Sequence, residues 1–328
     1  MSSSEFTAVI LAAGLGTRMK SDLPKVLHEV LGRPMLFWAI DSALAAGAHS
    51  VVTVVGHGRE QVQTLLDARY AAAPVTTAVQ EKMLGTADAV QSASEHFGDN
   101  ARPVLIMSGD APNVRRRDIL ALLEMHHREN ALVTLTSAMD TDEHHYGRII
   151  RSSDGVVQRI VEFKDASPDE REGHEVNMGL YAAEPAFLRT ALARTESTNA
   201  AGEFYLTDIV SMAAADGAAH ALVADSIDRF HGVNDRVQLA RANAVARDTR
   251  NVKLMQNGIT LVDPATTWVH GRAWVEADCV LEPGIVLTGG TIVERGAYVG
   301  AHTVLHDCRV GSGVYVEPGT VARGRQFS

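Results

Sequence analysis

Ala8-Val9-Ile10-Leu11-Ala12-Ala13-Gly14-Leu15-Gly16-Thr17-Arg18-Met19 runs from an apolar stretch into a glycine-rich turn. The apolar part, Ala8-Val9-Ile10-Leu11, reads as a buried parallel strand. A strand that opens into such a turn presents backbone N–H groups, which suit phosphates. Arg18 and, after Pro24, Lys25 add two positive charges just beyond it. Spacing excludes two commoner phosphate motifs. The dinucleotide fingerprint needs a third glycine where Met19 stands, and the P-loop needs a glycine before Lys20-Ser21.

The chain has 328 residues, enough for two domains of ordinary size. Its hydrophobic content of 46% and charged content of 21% are those of a globular protein. A net charge of −10 argues against a nucleic-acid surface, which demands basic excess. A nucleotide needs only a local positive pocket. The sequence begins without a signal-peptide pattern, and no apolar run approaches the ~20 residues of a membrane helix. No membrane insertion and a cytoplasmic location are therefore expected. Cys279 and Cys308 lack partners at zinc spacing and read as buried thiols.

Residues 1–233 alternate strand-like runs (Val51 to Val55, Pro103 to Met107, Leu132 to Thr136) with helical spacings (Leu36 to Ala46, Ile119 to His127). That alternation predicts a Rossmann-like α/β domain with a mostly parallel sheet. Residues 234–258 are charged, Ala-rich and free of glycine until Gly258, and predict a helical linker arm ending near Asn257-Gly258. Beyond Trp268, Val269, Val275, Leu281, Leu287, Val293, Val299 and Leu305 recur every six residues, and the period then slips by one to Val310 and Val316. A six-residue period predicts a short parallel β-helix over 259–328, of about three coils. Pro283-Gly284, Gly289-Gly290 and Pro318-Gly319 exclude an α-helix there.

The run from Leu11 to Met19, with Pro24-Lys25, resembles the signature of sugar-nucleotide pyrophosphorylases. Ser21-Asp22-Leu23-Pro24-Lys25-Val26-Leu27-His28 and Gly32-Arg33-Pro34-Met35 are similar, in particular, to the bacterial bifunctional N-acetylglucosamine-1-phosphate uridylyltransferase / glucosamine-1-phosphate acetyltransferase family. The resemblance implies attack of N-acetylglucosamine 1-phosphate on the α-phosphate of UTP. The products would be UDP-N-acetylglucosamine, a cell-envelope precursor, and pyrophosphate. It also implies Mg²⁺ as cofactor, a left-handed β-helix and a homotrimer.

Such a reaction brings anions together and needs little proton transfer, so it calls for cations, backbone donors and a hard metal ion. The resemblance assigns Arg18 and Lys25 to the catalytic centre. A guanidinium grips two phosphate oxygens at once, whereas an ammonium is a point charge. Leu11, Ala12, Ala13 and Gly14 would line the nucleotide site, with Gln80, Gly85 and Thr86 reading the uracil. Asp110 follows a predicted strand, where α/β sheets bind ligands, and would hold Mg²⁺ together with Asn234. Asn234, or Asp235, equally suits the N-cap of the arm. Gly147, Glu162 and Asn177 would contact the sugar, and Tyr205 either lines the sugar pocket or packs.

Some positions depart from the family pattern. Ser108 replaces an aromatic, Ala111-Pro112-Asn113 replaces a Val-Pro-Leu-like run, and Met178 replaces Thr or Ser. These leave the sugar open, so a different sugar 1-phosphate is an alternative substrate. The sequence stops at Ser328, before the coils and tail that carry the family's acetyltransferase site, so acetyl transfer is not expected of it. A hexapeptide-repeat acyltransferase would have to use His270, His302 or His306. A non-catalytic sugar-nucleotide-binding subunit is disfavoured by Arg18, Lys25 and Asp110.

Overall fold

The computed structural model describes residues 5–98, 102–140 and 145–328. The chain divides into one unit of Met1–Leu27 with Met35–Asp235 and a second of His28–Pro34 with Arg236–Ser328.

The first unit is built on strands β1 (Phe6–Leu11), β2 (Ala48–Val55), β3 (Val75–Val79), β4 (Val104–Ser108), β5 (Val133–Met139), β6 (Arg148–Arg151), β7 (Val157–Val161), β8 (Glu175–Ala183) and β9 (Ala219–Val223). Its helices are α1 (Met35–Ala45), α2 (Arg59–Tyr70), α3 (Thr86–Gln91), α4 (Arg116–Arg128), α5 (Pro168–Arg171), α6 (Pro185–Leu192) and α7 (Asp208–Ala215). The sheet runs β3-β2-β1-β4-β8-β5-β9, with β6 and β7 attached through β8. β1 pairs in parallel with β2 and β4, as β2 does with β3 and β5 with β9. β8 runs antiparallel to both β4 and β5, so the sheet is mixed around a parallel half.

The opening strand shows why the sheet is buried on both faces. Phe6, Ala8 and Ile10 point into one core with Leu36, Ile40 and Ile119. Val9 points into the other with Val90, Phe97 and Leu206. The alternation follows from the two-residue period of a strand, and apolar residues on both faces suit a sheet covered by helices. At the carboxyl end, Gly109 N donates to Leu11 O at 2.8 Å, locking the ends of β4 and β1 together.

The second unit contains helix α8 (Arg236–Gln256) and the coils that follow. Asn251 is buried, and its Nδ2 donates to Pro264 O and Thr267 O, tying the helix to the first corner. The segment His28–Pro34 also belongs here, whereas the alternating pattern of the sequence groups it with the first domain. Asn243 explains the difference. Its Oδ1 accepts from Leu31 N and its Nδ2 donates to Glu29 O, while Val30 and Leu31 are buried.

The coils form three parallel sheets of four strands each, the arrangement of a β-helix. The residues at the six-residue period all face inward, none more than the 5% exposed of Val275. Twelve short strands exceed the nine periodic positions because Leu261, Ala322 and Phe327 also sit at inward-facing strand positions. The slip after Leu305 is a shortened corner: Val286 pairs with Val304, eighteen residues on, but Ile292 pairs with Arg309, seventeen on. Cys279 and Cys308 are buried free thiols. Among the described residues no helix is long and apolar enough to cross a membrane.

Candidate active site

Two cavities of the first unit share a wall at the carboxyl ends of β1 and β4, where parallel strands bind ligands. The larger, about 330 Å³, is lined by Leu11, Ala12, Ala13, Gly14, Lys25, Gln80, Gly85 and Thr86. The smaller, about 220 Å³, is lined by Gly147, Glu162, Asn177 and Met178, among others. Ser108 and Asp110 line both.

The glycine-rich turn has two kinds of glycine. Gly16 has φ +61°, and a Cβ there would lie 2.7 Å from Lys25 Cβ, so the turn requires it. A Cβ at Gly14 would meet nothing within 4 Å. That glycine leaves room at the cavity wall and leaves the backbone accessible. Arg18 lies on a short 3₁₀ turn, Thr17–Met19, anchored by buried Met19. Its side chain is exposed, outside the lining of both cavities.

Asp110 is the focus of the constellation. Lys25 Nζ donates to Asp110 Oδ2 and, at 3.0 Å, to Asn234 Oδ1. Ser108 Oγ donates to Asp110 Oδ1 at 2.6 Å. Asn234 arrives through the backbone, because Val233 N donates to Asp110 O at 2.9 Å. Residues far apart in sequence thus converge on one ammonium group. Ser108, a departure from the family pattern in sequence, has a definite partner here.

Gln80 is only 5% exposed. Its Nε2 donates to Gly85 O at 3.1 Å and to Asp88 Oδ2 at 2.7 Å, so both amide hydrogens are in use. Gly85 has φ +127°, and a Cβ there would collide with Phe204 O. Thr86 Oγ1 accepts from Leu206 N at 2.9 Å, binding this wall to the segment before α7.

In the smaller cavity, Thr207 Oγ1 donates to Glu162 Oε1 at 3.1 Å. Burial pushes the Glu162 carboxyl above its usual range, against the lowering effect of that hydrogen bond. Asn177 Nδ2 donates to Tyr181 Oη, and its Oδ1 accepts from Gly179 N. One amide hydrogen and one lone pair remain for a ligand. Tyr146 Oη is hydrogen-bonded to His231 Nδ1 at 2.8 Å, and burial pushes the phenol up to about 12. Tyr205 does not line this cavity. It lines a neighbouring one that shares Glu162 and includes Asp165 and Asp208.

The nucleotidyl transferase family profile matches residues 7–229. "Bifunctional protein GlmU" of Trichlorobacter lovleyi is 44% identical over 322 residues, covering 98% of this chain and 69% of that protein. The protein of the same name from Geobacillus thermodenitrificans is 41% identical over 305 residues, covering 93% and 65%. The chain belongs to the GlmU family of nucleotidyl transferases. It spans 63 to 69% of the length of such curated relatives. A solved chain from Bacillus anthracis, assigned as a glucose-1-phosphate thymidylyltransferase, superposes with a TM-score of 0.59. It is 22% identical and covers 74% of this chain and 96% of its own, a likeness of fold.

For a family member, the donor set around Lys25 passes a chemical test for a hard cation. Asp110 and Asn234 already present a carboxylate and an amide oxygen to one positive charge. Mg²⁺ takes oxygen ligands, and one or two protein donors suffice when phosphates and waters complete its shell. Among the described residues there is no cluster of three or more His, Cys, Asp or Glu suited to a metal. The histidines of an acyltransferase reading are engaged in the coils. His270 and His302 pack against Gly32 and Gly284, and His306 bonds Thr288 and Asp307. Sequence reasoning missed Asp88 and the Ser108–Asp110 bond. An acidic residue in the first turn of a helix has an ordinary dipole explanation, which hides its second contact.

Proposed function

We propose that the chain is a uridylyltransferase joining UTP and N-acetylglucosamine 1-phosphate into UDP-N-acetylglucosamine, with release of pyrophosphate. The observation that carries this reading is Asp110 on the wall shared by two cavities, with Gln80 in one and Glu162 in the other. The larger cavity suits the nucleotide and the smaller suits the sugar. With both Gln80 amide hydrogens in use, Oε1 is the atom left for a base, and it suits the ring N–H of uracil.

An oxygen of the sugar phosphate forms a bond to the α-phosphorus of UTP. The bond from that phosphorus to the bridging oxygen breaks, and pyrophosphate leaves with the electron pair. The nucleophile is already ionised, so no general base is required. Lys25 is the cation of the larger cavity, held on Asp110 at the wall shared with the smaller one. Exposed Arg18 suits the outer phosphates, where a guanidinium can bind two oxygens. The backbone at Ala13 and Gly14 flanks the phosphate path. Asp110 and Asn234 would hold Mg²⁺, which when bound supplies charge neutralisation on the phosphates. Ser108 orients the Asp110 carboxylate. Glu162, Asn177 and Gly147 serve the sugar.

The same reaction on another sugar 1-phosphate is a second reading, favoured by Met178, which sets apolar surface in the sugar cavity. A panel of nucleoside triphosphates against sugar 1-phosphates, with pyrophosphate release as readout, decides between them. Fastest release with UTP and N-acetylglucosamine 1-phosphate is expected. Faster release with another sugar phosphate selects the second reading, and none with any pair rejects both.

A further inference from the structure

Gln80 is buried, and its side-chain amide has the same outline either way round. Only its partners decide which end faces a ligand. Those partners are both acceptors: Gly85 O at 3.1 Å and the Asp88 carboxylate at 2.7 Å. Turned over, Gln80 would set its own carbonyl oxygen against two other oxygens with no hydrogen between them. The amide is therefore held with Oε1 on the cavity side, and Gln80 lines that cavity. Asp88, in the first turn of α3, is outside the cavity lining. It is the shorter and the charged one of the two anchors, and hydrogen bonds to ions are the stronger kind.

We propose that Asp88 is a specificity-determining positioning residue. It locks the orientation of the Gln80 amide, so the site accepts a base that offers a ring N–H and rejects one whose ring nitrogen can only accept. Uracil and thymine carry that N–H at N3, whereas cytosine does not. The lock therefore separates UTP from CTP and is indifferent between UTP and TTP. The inference rests on the uridylyltransferase reading above.

Asp88→Asn is the decisive variant, because it keeps the shape but not the chemistry. A carboxylate can only accept, while the new amide can pair with either end of Gln80. The measurement is kcat/KM for UTP, CTP and TTP with the full chain. In Asp88→Asn the UTP:CTP ratio should fall by about tenfold, the order of one charge-assisted hydrogen bond. The UTP:TTP ratio should stay at its wild-type value. Asp88→Ala should lower the UTP:CTP ratio in the same direction, and a thermal melt shows whether that variant is folded. A wild-type UTP:CTP ratio in Asp88→Asn, with all three nucleotides slowed equally, overturns the proposal and leaves Asp88 a helix-end residue. A wild-type chain that turns over CTP as well as UTP, or neither, overturns the uridylyltransferase reading instead.

Discussion

Asp110 gives its two carboxylate oxygens to different partners, Oδ1 to Ser108 and Oδ2 to Lys25. With both oxygens engaged, the plane of the carboxylate is fixed and one oxygen is held on the cation. Asp110→Asn should cut Mg²⁺-dependent pyrophosphate release by about a hundredfold or more, as lost electrostatic stabilisation does in other sites. Its circular dichroism should match the wild type, and a wild-type rate would remove Asp110 from the cation-binding role. The motif residues were legible because Arg, Lys and Asp stand at set offsets from a strand end. Ser108 was not, since a serine two residues before an aspartate carries no pattern. Asp88 was not either, since its bond to Gln80 crosses a turn whose shape depends on Gly85 and Phe204.

Helix α4 illustrates how an element couples to solution conditions. His126 lies on its buried face, with Nδ1 3.1 Å from Thr134 Oγ1 on β5. Burial, with His127 and His220 adding repulsion, pushes its pKa down to about 4. The unfolded chain then binds the proton more readily than the folded one. The stability contributed is whole above about pH 6.5 and is lost as pH falls towards about 4, on the order of 3 kcal/mol in all. Urea unfolding at about pH 7 and pH 4.5 should show a smaller acid loss in His126→Gln than in the wild type. Equal losses would mean that His126 takes up its proton without opening the fold. Most elements were legible from their periods, α4 and β4 among them. The antiparallel course of β8 was not, because a buried apolar strand reads the same in either direction. Nor was the placing of His28–Pro34, which is decided by contacts with Asn243 more than two hundred residues away.

At the scale of the molecule, the coils carry exposed apolar side chains on their outer faces, including Trp274, Tyr315 and Val321. Such surface, outward on a β-helix, suits the homotrimer that the family resemblance implies. Light scattering should then return about three times the chain mass of 35.2 kDa. A value of one chain mass would refute it. The change from alternating elements to a six-residue period falls inside the second unit, which takes in His28–Pro34 and Arg236–Ser328. Four coils form where the period suggests three, because Leu261 precedes a longer corner, pairing twenty residues on with Leu281, while Ala322 is small and Phe327 comes one residue early. The short corner has a wider meaning. After Leu305 one residue is missing, and one is missing again between Ala322 and Phe327, the next turn of the same face. The corner from Leu287 to Val293 spans six residues and the one stacked on it, Leu305 to Val310, spans five, yet Val293 still pairs with Val310. Corner length is thus free to change from turn to turn while strand register is kept, so insertions and deletions in such a solenoid are absorbed at its corners.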